Sequence, residues 1–336
     1  MVSRAEAEGP ASVEKCGSGV REKNKQRRMI RCLSVHASYV CAHAGACCRA
    51  GWSIPVEEAL IGPLRGIGID IGAARVAPVL PSGECAFFEA EAGRLCRIHR
   101  RGGPRLLPSM CRHFPRVVVN DPRGTSVTLS HFCPTAAALL FVAPRLAIVD
   151  APASLALDGS LEGLDATDVL PPLLTAGLLT DWEGYSAWEA EAVALFDIDH
   201  LEPECAVEAL TIATEASCSW RPGREPLTGA VRDSFAQSRP TVTRDGDRWG
   251  NCGRTVNAFL AAHAFASWAA YGPDGLRAIP AAVAEALTIL RRHLKDHELT
   301  EETLTDAIRA TDLQLRHAEG RRGSSGNGDR DRATPE

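Results

Sequence analysis

The sequence predicts an α+β fold, mainly α, in which a small, loop-rich cysteine and metal domain with short strands packs on a C-terminal helical bundle. Three observations carry that expectation. Seven of the twelve cysteines fall between Cys41 and Cys133. The same stretch alternates short apolar pieces with Gly and Pro, and the chain beyond residue 150 carries apolar residues at helical spacing.

In order along the chain, residues 1–33 are polar and basic (REKNKQRRMIR) without an apolar stripe, which predicts a disordered N-terminal arm. Residues 34–150 form the expected cysteine-cluster domain. Within it Pro55–Leu64 is helical in pattern, and Val117-Val118-Val119 with Thr125–Leu129, separated by Asn120-Asp121-Pro122-Arg123-Gly124, reads as a β-hairpin. Residues 151–318 form the expected helical domain. Tyr185, Trp188, Ala192, Leu195 and Phe196 share one face of a helix after Asp181, and Val283, Leu287, Leu290 and Leu294 share another after Pro280. Thr300 with Glu301 and Glu302 opens a further helix. Thr255–Tyr271 is apolar on nearly every face, which predicts a central buried helix. Residues 319–336 (EGRRGSSGNGDRDRATPE) read as a disordered tail.

Composition narrows the function. With 336 residues, 45% hydrophobic and 24% charged, the chain has the make-up of a globular protein of about two domains. A net charge of −5 and 5% aromatics give neither the basic footprint nor the stacking platform of a nucleic-acid binder. The longest apolar stretch, 136–149, is interrupted by Pro144 and Arg145 and is too short for a bilayer span, so no membrane partner is expected. The basic start has no apolar leader core, which points to the cytoplasm. There, a dense group of thiols reads as metal ligands rather than disulfides. The candidate ligands are Cys41, Cys47, Cys48, Cys85, Cys96, Cys111 and Cys133. Cys16, Cys32, Cys205, Cys218 and Cys252 stand apart and read as ordinary thiols, Cys32 being the nearest to the set.

The cysteines sit in five separated motifs: C41-AHAGA-C47-C48, GEC85-AFF, GRLC96-RIH, LPSMC111-RHFP and LSHFC133-P. This pattern resembles the YkgJ-type cysteine-cluster family, a zinc- or iron-chelating domain whose motifs run C-x2-C-G-x-C-C, C-x-F-L, G-x-C-x-I-Y, R-P-x-x-C-R-x-F/Y-P and C-P. The resemblance spans 41–134 and departs in two places. Ala44 stands where the family has its second cysteine, and Leu107 stands where it has Arg before the Pro. Seven thiolates therefore replace eight, and His43, beside the lost cysteine, is the most economical substitute donor. His99, His113 and His131 occupy or adjoin aromatic slots of the pattern and read as packing or outer-shell residues. With no C-x2-C knuckle, ligands delivered from distant segments favour an iron–sulfur cluster as cofactor, zinc remaining open.

The reaction stays open. The resemblance extends to flagellin lysine-N-methylases, which implies an S-adenosylmethionine-dependent protein lysine N-methylase-like enzyme as one alternative and a structural zinc interaction module as another. In each case the helical region would offer the surface for a protein substrate or partner. Gly66–Gly72 reads as a connecting turn, since it opens no βαβ unit. Glu183, Glu189, Glu191, Asp197 and Asp199 read as a solvated helix face, and His263 and Trp268 as core. No nucleophile elbow, P-loop or zinc-protease motif is present.

Overall fold

The structure, a computed structural model, describes residues 29–91, 93, 95–142, 145–156, 163–223, 225–240 and 248–324, with side chains to 315. It is α+β and mainly α, 51% helical and 13% strand. The elements in chain order are β1 (Ile30–Leu33), α1 (Glu58–Gly66), β2 (Phe88–Glu89), β3 (Leu95–Cys96), α2 (Arg97–Gly102), α3 (Ser109–His113), β4 (Arg116–Asp121), β5 (Gly124–Leu129) and α4 (Pro134–Leu139). There follow β6 (Ile148–Asp150), α5 (Ala153–Ala156), β7 (Leu164–Asp165), β8 (Leu173–Thr175), β9 (Leu178–Leu179), α6 (Trp182–Phe196), α7 (Pro203–Cys218), α8 (Leu227–Gln237), α9 (Gly253–Ala264), α10 (Ala278–Leu294) and α11 (Glu301–Ser324).

A five-stranded sheet in the order β6-β1-β5-β4-β7 divides the molecule. The hairpin expected from sequence is β4–β5, with Asp121 opposite Gly124 and only Pro122 and Arg123 in the turn. Asp121 Oδ1 accepts the Arg123 amide at 2.8 Å, which closes the turn locally. Gly124 is required there, because its φ is 127° and a Cβ would stand 2.4 Å from the Met29 carbonyl oxygen. β1 runs parallel to β5, Ile30 facing Thr125 and Cys32 facing Val127. The arm expected over 1–33 is corrected at its end: Ile30–Leu33 is a strand with Cys32 and Leu33 fully buried. The Val-poor, basic context hid it, and its partners lie almost a hundred residues downstream. Residues 1–28 lie outside the described residues, as does 325–336 of the expected tail, whereas 319–324 continue the helical backbone of α11.

Strand alternation gives the two faces of the sheet different tasks. Cys32, Val118 and Val127 meet Tyr39, Leu129, Cys133, Ala136 and Leu155 in a small core. Leu33 and Val119 join the large core of the helices, in which Trp188, Phe196, Phe259 and Phe265 are at most 1% exposed. Each such side chain contributes roughly 1.5–3 kcal/mol by leaving water. A third, separate cluster of Ile54, Val56, Leu64, Ile69, Ile71, Phe87 and Ile98 supports the cysteine loops.

Most of the expected helices appear. Asp181 caps α6, accepting the Gly184 amide at 2.5 Å, and Thr300 caps α11, its hydroxyl accepting the Thr303 amide at 3.2 Å. The buried helix expected over Thr255–Tyr271 is shorter. It starts at Gly253 and ends at Ala264, after which Ala266 takes φ 51°. Three tethers compete with its continuation: the Ala266 amide to Glu189 Oε1 (3.3 Å), Trp268 Nε1 to the Val118 carbonyl (3.0 Å), and the Tyr271 hydroxyl to Asp121 Oδ2 (2.8 Å). Trp268 is consequently 41% exposed rather than core.

The acidic set is also corrected at one member. Glu183 and Asp199 are exposed, and Asp197 and Asp199 pair with Arg145 at 3.3 and 2.8 Å, but Glu189 is wholly buried. Its Oε2 meets Arg31 Nη2 at 3.0 Å and Arg123 Nη1 at 2.6 Å. Arg123 also reaches Asp121 Oδ2 at 2.6 Å and lies over the Tyr185 ring, 4.0 Å from its centroid. Removing one member of such a network leaves buried charge without a partner, at a cost of about 3–5 kcal/mol. Glu189→Ala should therefore lower the urea midpoint sharply, whereas Glu183→Ala should leave it unchanged. A Glu189→Ala variant with the parent midpoint would show that the network does not hold the fold.

Candidate metal centre

Six short segments deliver the seven cysteines. Cys41 lies in the loop after β1, and Cys47 and Cys48 in a single 3-10 turn over Ala46–Arg49. That turn is entered through two left-handed residues, His43 (φ 53°) and Gly45 (φ 73°). A Cβ on Gly45 would stand 2.6 Å from the Phe88 ring, so only glycine lets the turn approach β2. The Cys85 amide donates to the Cys48 carbonyl at 2.8 Å, and β2 pairs with β3 so that Phe88 faces Cys96. Cys111 sits in α3, whose first amide, on Ser109, donates to Glu57 Oε1 at 2.8 Å. Cys133 is the residue before α4, with Pro134 in the first turn.

These elements bring all seven sequence-predicted cysteines to the wall of one cavity of about 250 Å³. Ile54, Phe87, Ile98, Leu107 and Phe114 supply its apolar lining. Within the cavity the thiols fall into two groups. Cys47, Cys48, Cys85, Cys96 and Cys111 act on one another electrostatically. Cys41 and Cys133 act instead on Tyr39, whose hydroxyl is 3.8 Å from Cys133 Sγ and whose ionisation burial, then those two thiols, push upward. Among the described residues, no three or more His, Cys, Asp or Glu side chains close on one ion-sized point.

The adjacent pair is asymmetric. The hydrogen bond from Cys48 brings the Cys47 thiol down to about 7 against the opposing effect of burial, and the same bond and burial raise Cys48. Burial raises Cys85 and Cys96, and together with the neighbouring Cys47, Cys96 and Cys85 it pushes Cys111 up to about 12. A cation entering this wall would reverse the balance, since thiolate is the form that ligates.

His43 and Ala44 both line the cavity, and His43 Nδ1 is 3.8 Å from Cys41 Sγ. Two donors bound to one tetrahedral metal at ~2.0–2.3 Å stand about 3.5 Å apart, so this spacing suits a shared centre. His99 lines the cavity too, its ring 5.3 Å from that of His43, and burial followed by His43 lowers its basicity. His113 packs against Ser109 (Nδ1 to Oγ 3.2 Å) and His131 against His36 (Nε2 to Nε2 3.2 Å), and neither lines the cavity. Cys32, Cys205, Cys218 and Cys252 do not line it either; Cys32 is buried in the sheet and Cys218 bonds the Leu174 carbonyl at 2.9 Å. Cys16 lies outside the described residues.

The sequence reading missed Tyr39, Arg112 and Arg116, which all line the cavity. Tyr39 is one of only three tyrosines and stands two residues before Cys41, a signal that was available. Arg116 lies over the Tyr39 ring at 5.7 Å and donates to the Leu155 and Ser154 carbonyls, which fixes that end of the wall. No family model, curated protein or solved structure matches the chain.

Two expectations follow from this geometry. In metal-free protein, iodoacetamide should label Cys47 faster as pH rises through about 7, while Cys111 resists until far more alkaline conditions; equal rates at pH 7.5 by mass spectrometry would contradict the asymmetry. His43→Ala should weaken metal retention, and Ala44→Cys should make that loss harmless by supplying a thiol from the same wall. Metal content in the parent, both single variants and the pair measures the coupling. If His43→Ala alone changes neither metal content nor the visible spectrum, His43 is not a ligand.

Proposed function

We propose that this chain is a metal-binding cysteine-cluster protein whose seven thiols supply the ligands of an iron–sulfur centre, with zinc as the alternative metal. The observation that carries the reading is convergence: all seven cysteines singled out by motif line one cavity, and none of the other described cysteines does. Scattered structural thiols would not sort in this way.

The donor set suits the group. Five mutually interacting thiols exceed the four that one iron–sulfur cluster takes. A cavity of about 250 Å³ is several times the ~30 Å³ of a water molecule and gives room for a polynuclear core. Zinc, which draws sulfur ligands to ~2.3 Å, is the second candidate for the same thiols. The motif resemblance to the YkgJ-type family supports metal chelation by these thiols, by iron or zinc. The cluster, when bound, supplies positive charge that stabilises buried thiolates. The chain supplies the thiols and an apolar lining, with Arg112 and Arg116 at the cavity wall.

Anaerobic purification with iron, sulfide and zinc analysis tests the proposal. Iron with acid-labile sulfide in near-stoichiometric amount is the expected result. Replacing Cys47 and Cys48 with Ala should remove most of it, and replacing Cys205 and Cys218 should not. Equal metal content in both double variants, or a protein free of metal after anaerobic reconstitution, would sink the assignment.

A further inference from the structure

A second concavity, of about 550 Å³, lies far along the chain from the cysteines and has the opposite character. Part of its wall is one face of α10, where Thr288, Arg291, Arg292 and Leu294 line it, with Lys295 directly after the helix. The other face of the same helix carries Val283, Leu287 and Leu290 into the main core. α10 is thus split into an apolar stripe and a cationic one, and the cationic stripe faces a cavity.

Two further segments add a cation and an imidazole. Arg248 enters from the segment before Trp249, and His297 from the connection to α11. In that connection the side chains are sorted. Lys295, His297 and Leu299 line the cavity, while the alternate residues Asp296 and Glu298 do not. Arg291 meets Glu204 at 3.7 Å, and Glu204 also accepts Trp249 Nε1 at 2.9 Å, which holds the indole as a fixed floor. Helix-dipole complementation accounts for Arg291 and Arg292 at the end of α10, but it does not account for Arg248 arriving from another segment or for the sorting of the loop. On a chain of net charge −5, four Arg and Lys side chains around one concavity, with one ion pair to a carboxylate among the described residues, are a local exception.

The geometry points to this concavity as a binding site for an oligophosphate anion. Three guanidinium groups present paired donors that match phosphate oxygens, Lys295 adds a point charge, and a volume within the ~300–1,000 Å³ of small-ligand pockets suits two linked phosphates better than an extended chain. The site is independent of the metal and stands or falls separately from the proposal for the cysteines.

The test is a calorimetric titration of the full chain with inorganic pyrophosphate, with ADP, and with an oligo-glutamate peptide. Saturable binding of pyrophosphate that weakens with added salt is expected. Arg292→Ala and Lys295→Ala should each weaken it about tenfold, and the Arg292→Glu, Lys295→Glu pair should abolish it. These side chains are exposed; should the pair not fold, Arg248→Ala, from a different segment, must show the same loss. ADP binding more tightly than pyrophosphate assigns the site to a nucleotide, and equal binding assigns it to the oligophosphate alone. The proposal is overturned if pyrophosphate does not saturate, if the variants bind it as the parent does, or if the peptide binds more tightly.

Discussion

One carboxylate ties the fold together. Glu189 is fully buried on α6, yet it touches Arg31 from β1, Arg123 from the hairpin turn and the Ala266 amide at the end of α9. A buried carboxylate without partners would take up a proton or unfold its surroundings, so these contacts must form together. They fix β1 against the hairpin, the sheet against the helices, and the point where α9 stops. The cations gain from the arrangement as well, since Arg123 lies between two carboxylates and over an aromatic ring.

A second constraint governs the cysteine region. Regular structure there is sparse, with two-residue strands and a small apolar cluster of its own. Burial is the first cause that raises Cys85, Cys96 and Cys111, the hydrogen bond with Cys47 and then burial raise Cys48, and the exception, Cys47, is lowered by the Cys48 side chain and by backbone hydrogen bonds. Apart from Cys47, these thiols resist ionisation until positive charge arrives. In the reading proposed here, metal binding and the ordering of these loops are one free-energy event, because the ligating form of each thiol is the form that burial disfavours.

What the sequence showed and hid follows from the range of the interactions. The hairpin, the α6 and α11 caps and the apolar stripe of α10 were legible because each is written within a few residues: Asp121 and Gly124, Asp181, Thr300, Val283 to Leu294. The seven cysteines were legible as a set by their motifs, and they share a cavity. Strand β1 was hidden because four residues beside a basic run carry no periodic signal, and its register is set by β5. Glu189 was hidden for the same reason: its burial depends on two arginines 158 and 66 residues away. Composition at Thr255–Tyr271 overstated α9, because the tethers to Glu189, Val118 and Asp121 are long-range and outweigh local apolarity.

The helical layer does more than cover the sheet, because it positions one edge of the thiol wall. Asp312 on α11 accepts both the Ser130 hydroxyl and the Phe132 amide (3.3 Å for the latter), and Arg309, one helical turn earlier, donates to the Phe132 carbonyl at 3.3 Å and lies over its ring. Phe132 in turn packs on Trp52 and Phe114, the latter a residue of the cavity wall. Cys133 is therefore held from α11 through its preceding residues, whereas Cys47, Cys48, Cys85 and Cys96 are held by the loops around them. The thiol held in this way, Cys133, is the one whose Sγ lies 3.8 Å from the Tyr39 hydroxyl.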